Sequence, residues 1–256
     1  MNIVGIIPAR MAATRFPNKP MAMIAGLPMI AHVYHRSRMS AGIDDVWVAT
    51  CDQEIVDYIT AIGGKAVMTS DSHQRASDRS AEAMEKIEKI TGNKIDYVAM
   101  IQGDEPMIMP EMLDELVKPI RNGENAPVVN LISTIDTEAD FHNPNTVKLV
   151  FDCNMYAMYL SREPIPSGKK FTGSLPMWKQ LGIILFSHDA LLQFLSLEPT
   201  PLEIIESVDM NRFLEHGVRI KLVPTPIKTL GVDTPEDLLR VEKLLETDPL
   251  ISNYLT

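Results

Sequence analysis

The first 120 residues alternate short apolar runs with amphipathic stretches. Ile3–Ile7 reads as a strand, and Pro28 opens a helix with Met29, Ile30, Val33 and Tyr34 at helical spacing. Val46–Ala49 predicts a second strand, and Glu54–Ile62 a helix that Gly63 and Gly64 stop. A strand at Ala66–Met68, a helix over Ser80–Ile90 ending before Gly92, a strand at Tyr97–Ile101 and a helix over Glu111–Ile120 continue the series. Apolar strands separated by helices predict a parallel sheet covered by helices.

The second half changes character. Val128–Ile135, Val147–Phe151 and Met155–Leu160 follow one another with no helix long enough to separate them, and Leu181–Phe186 adds a further strand. These read as antiparallel additions. Pro164–Met177, rich in Pro, Gly, Ser and Lys, is the best candidate for a mobile loop. Helices are expected at Ala190–Leu197 and Leu202–His216, then a strand at Arg219–Val223 and a helix at Pro235–Leu245. The expected architecture is one α/β domain with a smaller antiparallel lobe.

Composition narrows the options. A chain of 256 residues with 45% hydrophobic and 23% charged residues is ordinary for a globular protein. Its net charge of -10 argues against a nucleic-acid surface and an anionic membrane. No apolar stretch approaches the roughly 18 residues of a membrane span, and the N-terminus does not read as a secretory signal. Cys51 and Cys153 have no metal-ligating neighbours at close spacing, so zinc is not indicated and reduced thiols in a cytoplasmic protein are expected. Sixteen methionines read as core filler.

Against that acidic background the loop after the first strand stands out. It carries Arg10, Arg15 and Lys19 within ten residues, beyond Pro8 and Ala9. Ligands of open α/β sheets sit beyond the carboxyl ends of the strands, so a cationic loop there is placed for a polyanion; a solvated surface loop is the plain alternative. Neither a Walker motif nor a GxGxxG turn is present, which disfavours P-loop ATPases and Rossmann dehydrogenases. Asp104 and Glu105, in Ile101-Gln-Gly-Asp-Glu-Pro106, end another predicted strand and suit Mg2+ shared with phosphate oxygens, or form an acidic turn. Asp233 in Leu230-Gly-Val-Asp-Thr-Pro-Glu-Asp237 offers a second carboxylate, although it or Thr234 also reads as an N-cap before Pro235. Arg75 and Arg79 lie one helical turn apart and can face one anion together. His73, beside them, reads as a capping or surface histidine. Arg162 presents a fork suited to a carboxylate.

These segments resemble one family. Ile7-Pro-Ala-Arg…Arg15-Phe-Pro…Lys19-Pro, Gln102-Gly-Asp-Glu-Pro106, Asn143-Pro-Asn…Val147-Lys148, Tyr159-Leu-Ser-Arg162…Ile165-Pro166 and Gly231-Val-Asp-Thr-Pro-Glu-Asp237 are similar, in this order, to the CMP-Kdo synthetases, the 3-deoxy-manno-octulosonate cytidylyltransferases. The resemblance implies a nucleotidyltransferase sheet, with a nucleotide-binding part at about 1–125 and 220–256 and an acceptor and dimerisation lobe at about 126–219. It also implies CMP transfer from CTP to the anomeric hydroxyl of a 3-deoxy-2-ulosonic acid, in a cytoplasmic homodimer serving lipopolysaccharide or surface-glycan synthesis. On that reading Pro8, Ala9, Arg10, Arg15, Lys19 and Gln102 bind the nucleotide, with Arg10, Lys19, Asp104 and Asp233 catalytic and the two aspartates holding Mg2+. Arg75, Arg79, Arg162, Gln180, Glu206 and Asp209 are assigned to the acceptor.

Departures from the family pattern fall mainly on that acceptor set. Arg75-Ala76-Ser77 stands where the family has Ser-Gly-Thr, Gln180 replaces a histidine, Asp209-Met210 replaces Glu-Gln, and Ala13 replaces a serine. The runner-up acceptor is therefore another ulosonic acid or a phosphonate, favoured by the extra charge of Arg75. A catalytically silent binding protein on the same fold is the reading from a different class.

Overall fold

The computed structural model describes residues 1–12 and 16–255, so Arg15 and Ala13 lie outside the described residues. The chain divides into two compact units, one of Met1–Asp114 with Thr229–Thr256 and the other of Glu115–Lys228.

In the first unit, β1 (Ile3–Ala9) grows from an apolar run that is buried along nearly its whole length. It lies between two parallel neighbours, β4 (Asp45–Thr50) and β6 (Tyr97–Met100), and β5 (Ala66–Met68) extends the sheet beyond β4. Helices α1 (Met29–Ser37), α2 (Gln53–Ala61) and α3 (Ala76–Thr91) make the crossovers. α2 and α3 bury one stripe, Ile55 and Ile59 of the former and Ala83, Met84 and Ile87 among those of the latter, whereas α1 is buried at every position but His35. Full burial of an isoleucine is worth roughly 1.5–3 kcal/mol. The helix expected from Ser80 begins four residues earlier, because its first turn buries Ser77 and Arg79, polar residues that carry no apolar periodicity.

A two-residue hairpin, β2 (Met23–Ile24) and β3 (Leu27–Pro28), was too short to read from pattern. Ala25 and Gly26 turn it with φ of 46° and 86°, the left-handed pair that matches strand twist. Ile24 and Met29 then pack with Val232 and with Val241 and Leu245 of α9 (Pro235–Leu245). Thr234 caps α9 in a reciprocal box with Asp237, and Pro235 occupies the first turn. Beyond α9, Asp248 lies 2.7 Å from the fully buried guanidinium of Arg36, which also donates through Nε to the Tyr254 hydroxyl at 3.0 Å.

Helix α4 (Pro110–Arg121) leads into the second unit. There β7 (Val128–Thr134) pairs antiparallel with β10 (Trp178–Ser187) and parallel with β11 (Ile220–Pro224). The strands β8 (Lys148–Phe151) and β9 (Ala157–Ser161) form an antiparallel pair. A short α5 (Glu138–His142), capped by Thr137, was not expected; α6 (His188–Ser196) is capped by Ser187. The stretch expected as one helix over Leu202–His216 is two, α7 (Pro201–Glu206) and α8 (Met210–Glu215). Ser207, at φ 51°, breaks it, and Arg162 takes the freed carbonyls of Glu206 and Ser207 at 2.6 and 3.0 Å. Periodicity hid the break because Glu203, Glu206, Met210 and Phe213 stay buried at helical spacing across it. The result is a mixed α/β fold, a mostly parallel sheet flanked by helices with a smaller antiparallel set.

Candidate active site

The carboxyl end of β1 carries Pro8, Ala9 and Arg10, and the turn after β6 comes up beside it. Gly103 makes the approach possible: a Cβ there would lie 2.9 Å from the Pro8 carbonyl oxygen. The Met11 N–H donates to Asp52 Oδ2 at 2.8 Å, which fixes where the cationic loop leaves the sheet. The chain returns through Phe16, and the Asn18 N–H donates to the Met11 carbonyl at 3.1 Å. Asn18, left-handed at φ 60°, precedes a single 3-10 turn that presents Lys19.

Lys19 is where distant segments meet. Its ammonium donates to Asp104 Oδ2 at 2.7 Å and to the Val232 carbonyl at 2.9 Å, and lies 3.6 Å from Asp233 Oδ1. The Val232 N–H in turn donates to the Asp104 carbonyl at 2.9 Å, so the two acid-bearing turns are tied together directly. Packing of Val232 against Ile24 and Met29 holds that tie from below. A cavity of about 370 Å³ opens here, lined by Pro8, Ala9, Arg10, Phe16, Lys19, Gln102, Gly103, Asp104 and Asp233. Five sequence-predicted groups thus share one space with β1's end: Arg10, Lys19, Gln102, Asp104 and Asp233.

The Asp104 and Asp233 carboxylates form a donor set for a divalent cation. Two carboxylates converge within reach of one cation position, and among the described residues no cluster of three or more His, Cys, Asp or Glu side chains is present. That is the donor chemistry of Mg2+, which takes one or two protein carboxylates and completes its shell with water and phosphate oxygens. The residues fit the group.

A second cavity of about 100 Å³ adjoins the same strand end, lined by Pro8, Ala9, Arg10, His73, Gln74, Arg75, Ala76 and Arg79. Arg79 is only 3% exposed. One of its terminal nitrogens donates to Thr69 Oγ1 at 2.5 Å, while Nη2 is buried and has no hydrogen-bond partner among the described residues. A buried guanidinium N–H without an acceptor is costly, so the site calls for one from a ligand. Arg10 makes a long 3.5 Å contact with the His73 carbonyl, and His73 Nε2 lies 2.5 Å from Glu82 Oε2. Burial pushes the Glu82 carboxyl up, but hydrogen bonds from Lys86, the Ser70 N–H and His73 outweigh it and hold the group at about 2.

The remaining candidates belong to the second unit. Arg162 spends three donors on the carbonyls of Glu206, Ser207 and Pro144. The Glu206 carboxylate accepts from Tyr159, Ser161 and the Arg162 N–H at 2.6–2.8 Å. Burial alone would raise Glu206, yet these bonds keep it below the usual carboxylate range. Gln180 donates to Asn130 Oδ1 at 2.7 Å, and Asp209 stands at the start of α8. Lys148, fully buried, donates to the carbonyls of Asn143, Thr146 and Arg162. Sequence reasoning missed Asp52, Glu82 and the Val232 carbonyl. Asp52, just beyond a strand end, carried the same positional signal as Asp104; Glu82 and Val232 carried none.

A family model described as cytidylyltransferase matches residues 4–220. The 3-deoxy-manno-octulosonate cytidylyltransferase of Thermodesulfovibrio yellowstonii is 43% identical over 254 residues, covering 96% of this chain and 99% of that protein. The enzyme of the same name from Geobacter sulfurreducens is 41% identical over 256 residues, covering 96% and 99%. A solved structure of CMP:2-keto-3-deoxy-manno-octonic acid synthetase complexed with CTP superposes with a TM-score of 0.89 at 36% identity, covering 96% of this chain and 99% of that one.

Proposed function

Because this chain belongs to the cytidylyltransferase family, among its 3-deoxy-manno-octulosonate members, we propose that it transfers CMP from CTP to the anomeric hydroxyl of 3-deoxy-manno-octulosonate. The convergence of Lys19, Asp104 and Asp233 beside the Arg10 strand end carries the reading, since it joins a phosphate-binding cation to a two-carboxylate cation site.

In the transfer, the sugar hydroxyl oxygen bonds to the α-phosphorus of CTP, the bond to the β-phosphate oxygen breaks, and pyrophosphate leaves as the hydroxyl proton passes to solvent. Arg10 and Lys19, with Arg15 from the same loop, hold the triphosphate and offset the charge that grows on the leaving group. Asp104 and Asp233 would hold Mg2+, which supplies charge neutralisation at the α-phosphate and lowers the pKa of the attacking hydroxyl. Gln102 lines the nucleotide side of the cavity. The buried Nη2 of Arg79 is suited to an acceptor atom of the base, because its cavity is walled by Pro8, Ala9 and Arg10. Arg75 lines that same cavity, which puts its extra charge beside Arg79. Arg162, Gln180, Glu206 and Asp209 remain the acceptor-side candidates; Arg162 keeps two of its five donors for a sugar carboxylate.

A homodimer accompanies this reading. Met158, Ile204 and Ile205 of the second unit are 64–76% exposed, an apolar set suited to contact between two copies. No described helix is long and apolar enough to cross a membrane, and both cysteines are free thiols, which suits a reducing compartment such as the cytoplasm.

The test is pyrophosphate release from CTP and Mg2+ with a panel of ulosonic acids and phosphonates. Turnover with 3-deoxy-manno-octulosonate is expected, and near-complete loss of it in Asp104→Ala. Turnover confined to another acceptor, or a fully active Asp104→Ala chain, would overturn the assignment.

A further inference from the structure

The Lys19 ammonium sits where a divalent cation would compete with it. It is 2.7 Å from Asp104 Oδ2 and 3.6 Å from Asp233 Oδ1, and the Val232 carbonyl accepts a third contact at 2.9 Å. Its side chain is 14% exposed, so it is seated among these groups. Two cations between the same two carboxylates repel each other, and Asp104 Oδ2 cannot serve both at full strength. That repulsion is strong at such a separation, because the site is partly shielded from water and one of the ions is doubly charged. We propose that Lys19 is an exchangeable internal counter-ion: it neutralises the converged Asp104–Asp233 pair, yields that pair to the divalent cation, and passes its own charge to the triphosphate that arrives with it.

The geometry allows the exchange. Lys19 is carried on a single 3-10 turn, with a flexible four-carbon stem in a cavity that also opens toward Arg10 and Gln102. The carboxylates, by contrast, are fixed by backbone: the Val232 N–H to Asp104 carbonyl bond and the capped start of α9 keep their turns together without the ammonium. One partner can therefore move while the other two stay. The consequence is binding order. Cation alone must displace Lys19 with nothing to receive its charge, so it binds weakly. Cation and CTP together offer Lys19 a phosphate, so each strengthens the other. This hand-off rests on the proposed nucleotide and metal site.

Manganese(II) titration, with the free-ion signal read by electron paramagnetic resonance, tests it without turnover. The parent chain should bind Mn2+ weakly alone and much more tightly with CTP, beyond what the same CTP binds without the chain. Lys19→Met should bind Mn2+ alone at least about tenfold more tightly than the parent, and should gain less from CTP than the parent does. Lys19→Arg, which keeps the cation, should stay weak in Mn2+ alone. Adding Asp104→Asn to Lys19→Met should abolish the tight binding. A folded Lys19→Met chain, checked by thermal unfolding, with Mn2+ affinity no higher than the parent's would overturn the hand-off. Failure of CTP to strengthen Mn2+ binding to the parent would instead overturn the site assignment on which it rests. If Lys19→Met does not fold, acetylation of the parent chain decides: Mg2+ alone, raised to saturation, should increase labelling of Lys19 by mass spectrometry, and unchanged labelling would overturn the proposal.

Discussion

His73 faces two ways at once: its ring nitrogen lies 2.5 Å from Glu82, and its backbone carbonyl accepts a long 3.5 Å contact from Arg10. Glu82 also accepts from the Ser70 N–H, so one carboxylate on α3 fastens the whole segment that walls the Arg79 cavity. Glu82→Gln should cost about 1–3 kcal/mol at neutral pH. It should also raise KM for CTP more than it lowers kcat, because it loosens binding surface and leaves the reacting groups in place. The pH dependence has a definite sign. The folded value, about 2, lies below the ordinary 4.5, so the contribution is complete above 4.5 and is lost as pH falls toward 2. Acid unfolding followed by circular dichroism should be shallower in Glu82→Gln over that window.

Two histidines on α1 give a second pH effect. Burial lowers His32, against a raising hydrogen bond with the Ile24 carbonyl, and burial followed by the nearby Arg38 charge lowers His35. The unfolded chain therefore takes up these protons first, and stability falls as pH drops below 6.5. His35 stacks on Tyr254 at 5.4 Å, so His35→Phe keeps the ring contact while removing the titration. Its melting temperature should change less between pH 7.5 and 5.5 than that of the parent, as scanning calorimetry would show.

Gly103 sets the distance between the two halves of the proposed nucleotide site. Its Cβ would meet a backbone oxygen, which cannot swing away as a side chain can. Gly103→Ala should displace the Pro8 end of β1 or the Asp104 turn, and reduce kcat/KM by about ten- to a hundredfold. Steady-state kinetics on a chain of near-parent melting temperature would check it.

In the second unit, Arg212 is bidentate to Glu203 at 2.7 Å, with both side chains nearly or fully buried, and it also donates to the Phe194 and Leu197 carbonyls. Removing one partner leaves the other charge buried, so Glu203→Gln should cost about 3–5 kcal/mol in urea unfolding. Replacing both by apolar residues of similar volume should recover part of that loss.

The strands of the first unit were legible because a sheet covered on both faces demands unbroken apolar runs, as in Ile3–Ile7. Helix ends stopped by Gly63 and Gly92 were legible because both residues take left-handed backbone, at φ 73° and 70°. The split at Ser207 was not, since the buried spacing continues through it and only the contact with Arg162 reveals where the carbonyls go. The short α5 and the β2–β3 hairpin fall below the length at which periodicity carries information.

For the proposed site, the sequence alone determined the chemistry on offer: a cationic loop after one strand and acidic turns elsewhere, in the order of a cytidylyltransferase. Only the tertiary structure decided their meeting. Lys19 and Val232 are 213 positions apart, and no local rule joins them. Side-chain type is a property of one residue. Convergence is a property of the backbone path, here set by Gly103, the Val232 N–H bond to Asp104 and the packing of Ile24 and Met29 beneath them.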